Sequence, residues 1–199
     1  EPARVGDRHE LEVGVLLVEA SEVVEHLAVG AGLINDVNAL RGQGALQAAA
    51  ELKVPVCLMH MQGTPQTMQT EPDYQDVVSE VESFLLERVA VCEQAGIPAE
   101  RIMLDPGFGF GKRARHNLRL MKHLSRLTAL PYAVLVGVSR KSIIGDMLKV
   151  DVKERLAGSL ALASIAVWQG AKLIRTHDVR ETAQAVKLTQ HVQQVEDFD

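Results

Sequence analysis

Polar side chains follow one short apolar run after another along this sequence. Asn35 and Asp36 follow one run, and Asp105 follows another. Arg175 and His177 end a third. The carboxyl ends of parallel strands lie at one edge of a sheet or one mouth of a barrel, so these groups are expected to share a site. Amide and carboxylate groups can read the edge of a heterocycle, and paired cations can hold an anion.

The segment 105–112 has the most specific pattern, Asp-Pro-Gly-Phe-Gly-Phe-Gly-Lys. Its glycines permit positive φ and a close backbone approach to a ligand, and its two phenylalanines offer flat faces for stacking. Asp105 could therefore hold a planar heterocycle, or it could merely cap the next helix. The segment is not a phosphate-binding Walker loop, because Arg113 rather than Ser or Thr follows Gly-Lys.

Two further groups of residues could bind a ligand. The sequence Ser-Arg-Lys-Ser at 139–142 could hold an anion, with Lys141 donating to a ligand carbonyl, or it could be a solvated basic turn. Arg175 and His177 lie two positions apart at a strand end, which would place them on one face about 6.6 Å apart, a spacing suited to a phosphate or pyrophosphate. Asn35 could read ring nitrogens, and Asp36 could cap a helix. We interpret His60 as a structural residue.

The hydrophobic pattern predicts an α/β fold with strands buried on both faces. Apolar runs of strand length occupy 14–18, 32–34, 54–59, 101–104, 133–138 and 171–174. Helical spacing occupies 22–29, 44–52, a stretch from 71 to Gly96, 116–127, 153–169 and 179–192. We predict about six βα units in one domain, 1–199, after an irregular lead-in at 1–11. Because every predicted strand end carries polar groups, a barrel is favoured over an open sheet.

Composition excludes several classes of protein. The 199 residues are 47% hydrophobic and only 4% aromatic, which is typical of a globular domain and not of a disordered chain. With 21 Lys and Arg against 26 Asp and Glu, a net charge of −5, nucleic acid is not expected as a partner. No apolar stretch approaches the span of a bilayer, and Cys57 and Cys92 have no paired spacing. We expect a soluble, cytoplasmic protein with free thiols and no membrane partner.

Five segments, in chain order, resemble the dihydropteroate synthases, bacterial folate-pathway enzymes that are sulfonamide targets. They are Leu-Ile-Asn-Asp-Val at 33–37, Met-His-Met-Gln-Gly at 59–63, Leu-Asp-Pro-Gly-Phe-Gly-Phe-Gly-Lys at 104–112, Gly-Val-Ser-Arg-Lys-Ser at 137–142 and Ile-Arg-Thr-His-Asp at 174–178. The resemblance implies a TIM (β/α)8-type barrel. It also implies a transferase that joins 4-aminobenzoate to 6-hydroxymethyl-7,8-dihydropterin diphosphate, releasing pyrophosphate with Mg²⁺. Such enzymes usually form homodimers.

The resemblance also implies roles for individual residues. Those expected at the pterin are Glu19, Asn35, Met59, Asp105, Phe110, Gly137 and Lys141. Those expected at the diphosphate are Arg175 and His177, and those expected at the aminobenzoate are Phe110, Ser139, Arg140 and Ser142. Asp105 and Lys141 are the expected catalytic residues. No metal-ligating residue is assigned.

Three departures from the family pattern qualify these expectations. The family's first-strand Asn and its Ser-Thr-Arg-Pro-Gly loop are not found, so we expect the first two βα units to be absent. Val18-Glu19-Ala20 stands where the family has Val-Asp-Thr. We therefore expect an intact pterin subsite with incomplete metal, diphosphate and aminobenzoate subsites. The alternatives are a non-catalytic or truncated pterin-binding paralogue and a methyltetrahydrofolate-binding methyltransferase domain, although a methyl donor has no need of the cations near Arg175.

Overall fold

A computed structural model describes residues 32–63, 68 and 72–196 of the chain. The described strands are β1 (Ile34–Asp36), β2 (Val56–Met59), β3 (Ile102–Asp105), β4 (Ala133–Gly137) and β5 (Leu173–Arg175). The described helices are α1 (Ala45–Leu52), α2 (Val77–Gln94), α3 (Ala114–Lys122), α4 (Ser125–Thr128), α5 (Ser142–Leu148), α6 (Leu156–Trp168) and α7 (Val179–Gln194). Short 3₁₀ turns occupy Ala99–Arg101 and Val152–Glu154.

The described strands form one parallel sheet in which each strand pairs with its neighbours in sequence. The order is β1-β2-β3-β4-β5, and every pairing is parallel. Strands joined through helices and paired in chain order are the repeating unit of a β/α barrel. The predicted fold is thus confirmed as a partial TIM-like barrel of five parallel strands. The strand predicted at 14–18, the helix at 22–29 and the lead-in at 1–11 lie outside the described residues.

The two faces of the sheet have different compositions, because successive side chains point to opposite faces. Eight aliphatic residues on one face belong to the buried core shared with the helices: Ile34, Val56, Leu58, Ile102, Leu104, Val134, Val136 and Ile174. The opposite face, on the barrel interior, holds Asn35, Cys57, Met59, Met103, Asp105, Leu135, Gly137 and Arg175. One face therefore stabilises the fold, and the other presents polar groups.

The single helix predicted at 116–127 is wrong. The chain forms two helices, α3 and α4, separated at His123 and Leu124. The amide of Gln169 bonds to both sides of the break, because its Nε2 donates to the carbonyl of Met121 and its Oε1 accepts from the N–H of Ser125. Leu124 is completely buried, which fixes the break against the core.

Other boundaries differ by a few residues, and one helix was missed. β1 extends to Asp36, so Asn35 lies within the strand and not after it. α5 was not predicted, although Ile143 and Ile144 are buried on it. It follows Lys141 directly, so the basic segment leads into a helix.

The turn after β1 contains two consecutive non-glycine residues with positive φ, Ala39 at 52° and Leu40 at 56°. Two side chains hold it. The carboxylate of Asp36 accepts from the N–H groups of Asn38 at 2.9 Å and Leu40 at 2.8 Å. Nε of Arg88, on α2, donates to the carbonyl of Ala39 at 2.9 Å. These bonds compensate the local backbone strain.

Cys57 and Cys92 are both free and buried, so the prediction of unpaired thiols is confirmed. Within residues 32–63 and 72–196, no helix is both long and apolar enough to cross a membrane.

We expect Leu85→Ala on α2 to lower the free energy of unfolding by about 2–5 kcal/mol, because it opens a cavity in the core against the sheet. Leu85 is completely buried, whereas its neighbour Leu86 is 37% exposed. Urea denaturation of both alanine variants measures the difference. Equal losses at the two positions would contradict this assignment of the core face.

Candidate functional site

The strand register brings the inward-facing polar residues to one end of the barrel interior. Asn35 pairs with Cys57, Met59 pairs with Asp105, and Gly137 pairs with Arg175. Residues paired across parallel strands share a face. The candidate site is therefore built on the carboxyl ends of β1, β2, β3, β4 and β5.

Asn35 is only 2% exposed, and its side-chain oxygen lacks a hydrogen bond. This Oδ1 atom is enclosed and has no hydrogen-bond partner among the described residues. Buried polar atoms in folded proteins are nearly always paired, because an unpaired one costs free energy. An amide oxygen accepts only, so a ligand that completes this contact must supply an N–H or O–H.

Asp105 is the second buried acceptor, and it is 1% exposed. Its Oδ1 accepts from the N–H of Gly107 at 2.7 Å, which orients the carboxylate at the start of the glycine-rich loop. Cys57 lies close enough that burial and the Asp105 carboxylate together raise the pKa of its thiol. This thiol stays protonated and belongs to the pocket wall.

The ammonium group of Lys141 lies near the carboxylate of Asp105. Its Nζ donates to the carbonyl of Phe108 and lies 4.6 Å from the ring centroid of Phe110. Burial lowers the pKa of Lys141 to about 8, against the opposing attraction of Asp105 and with a further lowering by Arg175. A lysine in such surroundings is a strong hydrogen-bond donor that can also release its proton near neutral pH.

The guanidinium of Arg175 lies against Gly137 of β4. A Cβ on Gly137 would come within 2.9 Å of Nε and Nη2 of Arg175, so a larger residue there would displace the guanidinium from its present position. Arg175 also influences the pKa values of Cys57 and Lys141. Asp105, Lys141 and Arg175 thus form one electrostatic cluster on the inner face.

His177 lies beyond the end of β5, so strand alternation does not set the direction of its side chain. Hydrogen bonds to Ser139 set that direction instead. The backbone N–H of His177 donates to Oγ of Ser139 at 3.1 Å, and its Nδ1 is 2.9 Å from the same oxygen. Next to it, the guanidinium of Arg140 pairs with the carboxylate of Asp178. The loops after β4 and β5 are therefore held together, while Ser142 is exposed at the start of α5.

Lys112 is a residue of this region whose importance the sequence analysis missed. It is 3% exposed, and its Nζ donates to the carbonyls of Gly107 and Phe110, both at 3.0 Å. The same atom is 2.8 Å from Nδ1 of His60. Burial lowers the pKa of Lys112 to about 7, although Asp105 opposes this. Lys112 holds the glycine-rich loop in place from inside, and a lysine directly after the last glycine was the available signal.

His60 is buried beneath the same loop, and it supports that loop. Its ring meets Phe84 edge-on at 4.9 Å, and burial together with Lys112 lowers its pKa to about 2. The ring is neutral, as expected of a structural histidine. This agrees with our interpretation of its sequence context.

The glycine-rich loop packs so closely against the backbone of His60 and Gln62 that two of its glycines have no room for a side chain. A Cβ at Gly107, where φ is +67°, would lie 1.9 Å from the carbonyl oxygen of His60. A Cβ at Gly111, where φ is +59°, would lie 2.5 Å from the carbonyl oxygen of Gln62. Asn117 completes the support, since its Oδ1 accepts from the N–H of Gly109 at 2.8 Å.

Among the described residues, no group of three or more His, Cys, Asp or Glu side chains is arranged to hold a metal ion. We therefore assign no chemical step to a metal.

The structure brings together most of the predicted site residues. Asn35, Met59, Asp105, Gly137 and Arg175 share the inner face. Lys141 lies near Asp105 and over the ring of Phe110, and Ser139, Arg140 and His177 form the adjoining loop contacts. Glu19 lies outside the described residues. The ligand roles of all these residues stay predictions.

We expect Gly107→Ala to be far more destabilising than Gly96→Ala. Both positions have positive φ, but a Cβ at Gly96 meets nothing within 4 Å. The left-handed backbone alone costs an alanine about 1–2 kcal/mol, whereas Gly107→Ala also displaces the His60 carbonyl and the loop. Thermal unfolding of both variants measures the difference, and similar melting temperatures would contradict the packing described here.

We also expect the Lys112→Met variant to change how stability depends on pH. Folded Lys112 has its pKa lowered from 10.5 to about 7. The unfolded chain therefore binds the extra proton between those values, and stability rises with pH across that window. Lys112→Met should flatten this rise, whereas the exposed control Lys122→Met should retain it. Urea denaturation at about pH 7 and pH 9.5 is the measurement; an unchanged slope in Lys112→Met would contradict the assignment.

Comparison with known proteins agrees with this geometry. The family model described as pterin binding enzyme matches residues 18–177. Dihydropteroate synthase from Escherichia coli strain K12 is 49% identical over 186 residues, which cover 94% of this chain and 66% of that protein. The chain thus spans slightly less than two thirds of the length of this relative.

Solved structures show the same fold. A dihydropteroate synthase from Yersinia pestis in complex with a sulfonamide drug superposes with a TM-score of 0.87 at 42% identity, covering 94% of this chain and 68% of that one. The Xanthomonas albilineans enzyme in complex with 7,8-dihydropteroate superposes with a TM-score of 0.84 at 45% identity, covering 92% and 68%. With its inward-facing polar strand ends and a family match over most of its length, this chain belongs to the pterin-binding enzyme family, as a relative of the dihydropteroate synthases.

Proposed function

We propose that this chain carries the pterin site of a dihydropteroate synthase, a transferase of folate biosynthesis. The reaction joins 4-aminobenzoate to 6-hydroxymethyl-7,8-dihydropterin diphosphate and gives 7,8-dihydropteroate and pyrophosphate. The observation that carries the proposal is the unpartnered buried Oδ1 of Asn35 on the same sheet face as the buried carboxylate of Asp105. A 2-aminopterin offers the N–H groups that two such acceptors require.

In this proposal, acceptors of the protein face the N–H groups of the pterin and a donor faces its carbonyl. Asn35 and Asp105 accept from its ring N–H and amino groups, and Lys141 donates to its carbonyl. Met59, Gly137 and Phe110 line the pocket. Glu19 is proposed to add a contact from the part of the chain outside the described residues. Support for Asp105 and Lys141 as the catalytic residues comes from the burial of Asp105, the half-buried position of Lys141 and the attraction between the two side chains.

Bond making and breaking need no nucleophile from the protein. The lone pair of the aniline nitrogen forms a C–N bond to the methylene carbon of the pterin. The C–O bond to the diphosphate breaks, its electron pair leaves with pyrophosphate, and the aniline proton passes to solvent. Arg175 and His177 are proposed to bind the diphosphate and to stabilise the charge that develops on it. Catalysis of this kind depends on positioning and on preorganised charge.

The aminobenzoate is proposed to lie near Phe110 and the loop formed by Ser139, Arg140 and Ser142. In this loop, Ser142 and Arg140 are the exposed members, although Arg140 also pairs with Asp178. Mg²⁺ is proposed only as a partner of the diphosphate, since Mg²⁺ commonly binds substrate phosphates and keeps several waters. We further propose a cytoplasmic homodimer; two free buried thiols suit a reducing compartment.

We expect Asn35→Leu to weaken binding of the pterin diphosphate at least about tenfold, because a buried hydrogen bond to the ligand is lost. The same change should leave the free energy of unfolding unaltered or raised, because it removes an unpaired polar atom from an enclosed position. Isothermal titration calorimetry with a pterin diphosphate analogue and urea denaturation measure the two effects.

Asn38→Leu is the matched control, since Asn38 lies in the turn beyond the strand, and it should bind normally. No heat of binding with folded wild-type chain would refute the pterin site. Binding without dihydropteroate formation would favour the non-catalytic paralogue, and binding that a sulfonamide does not affect would favour the methyltransferase alternative.

A further inference from the structure

The contact between Ser139 and His177 determines which imidazole nitrogen carries the proton. Ser139 is 6% exposed, so its hydroxyl needs partners within the protein. Among the described residues Oγ has two, the backbone N–H of His177 at 3.1 Å and Nδ1 of the same residue at 2.9 Å. The backbone N–H can only donate, so it occupies one lone pair of the hydroxyl oxygen.

The remaining contact has two possible directions. If Nδ1 carried the proton, Oγ would accept twice and the hydroxyl hydrogen would have no acceptor in the described part of the chain. If Nδ1 is bare, the hydroxyl donates to it and every polar group in the contact is satisfied. A buried donor without an acceptor costs free energy, so the second arrangement is favoured.

We infer that Ser139 is a positioning residue that holds His177 as the Nε2–H tautomer. The nitrogen remote from Ser139 then carries an N–H that can only donate. Nε2 of His177 makes no hydrogen bond to any of the described residues, and the residue is exposed. The side chain thus offers a fixed hydrogen-bond donor to an anionic oxygen beside the strand ends.

The neighbouring contacts support a rigid presentation of His177. The backbone N–H of Arg140 donates to Oγ of Ser159 at 2.9 Å, which anchors the residue after Ser139 to α6. The guanidinium of Arg140 pairs with the carboxylate of Asp178, the residue after His177. The hydroxyl of Ser139 therefore lies between two anchored backbones.

The proposed anion is the diphosphate or pyrophosphate of the proposed function, on which this part of the inference rests. The tautomer itself does not depend on any ligand. The two proposals can therefore fail separately.

Long-range ¹H–¹⁵N correlation of histidine side chains tests the tautomer directly. The spectrum is recorded at about pH 8, above the ordinary imidazole pKa of about 6.5, and His177→Gln assigns the signal. We expect wild-type His177 to show a bare Nδ1 and a protonated Nε2. The exposed His123 and His191 should show tautomer-averaged shifts. A protonated Nδ1, or an averaged signal at His177, would overturn the inference.

Variants at position 139 test the part that Ser139 plays. Ser139→Ala should move the His177 nitrogen shifts to the averaged values of His123 and His191, whereas Ser139→Thr, which keeps a hydroxyl, should restore the wild-type pattern. Unchanged shifts in Ser139→Ala would overturn the positioning role. If Ser139→Ala does not fold, the wild-type and Ser139→Thr spectra still decide the tautomer.

Titration with inorganic pyrophosphate connects the tautomer to binding. We expect wild-type His177 Nε2 to shift on titration, and the dissociation constant to rise about fivefold in Ser139→Ala. Ser139→Thr and the remote hydroxyl deletion Ser79→Ala should bind as wild type does. A dihydropteroate assay run in parallel keeps the outcomes distinct. A fixed tautomer without product refutes the proposed reaction alone, and product with an averaged tautomer refutes this inference alone.

Discussion

Each strand of the described barrel wall has helices on one side and the site on the other, so successive residues meet opposite surroundings. Ile34 packs into the core while Asn35 faces the interior, and Leu104 and Asp105 repeat the arrangement. A shift of one residue in register would bury the acceptors among helices and expose the aliphatic side chains. The parallel register is therefore the constraint on which both the stability of the fold and the geometry of the site depend.

The two lysines of the site depend on backbone carbonyl groups that accept their hydrogen bonds. Lys112 is buried and Lys141 is half-buried, and a positive charge in either place is costly without partners. The glycine-rich loop supplies carbonyl groups to both, from Gly107 and Phe110 for the first and from Phe108 for the second. Its glycines are thus needed for close approach as much as for turning. The loop therefore fixes the positions of both lysines without any contribution from a ligand, which is an arrangement of preorganised charge.

Periodicity was sufficient to predict the alternation of strands and helices, because that pattern is local, whereas the barrel was predicted from the polar groups at the strand ends and from the family resemblance. Periodicity failed at the break between α3 and α4, since Gln169, far along the chain, stabilises that break. The inner-face residues Asn35 and Asp105 were recognisable from their positions at strand ends. The role of Lys112 was missed although it directly follows the last glycine, because His60, which lies beside its Nζ in the structure, is 52 residues away in the sequence.

The turn that follows Asn35 has a consequence for the order in which the chain folds. Ala39 and Leu40 adopt a left-handed backbone that residues of this kind avoid in isolation. Arg88 secures that turn from a position 49 residues away. A nascent chain that ends before α2 lacks this contact, so the hydrogen bond from Arg88 to the turn can form only after α2 has been synthesised. The turn beside Asn35 thus depends on a helix that packs on the core side of the sheet and not on the site side.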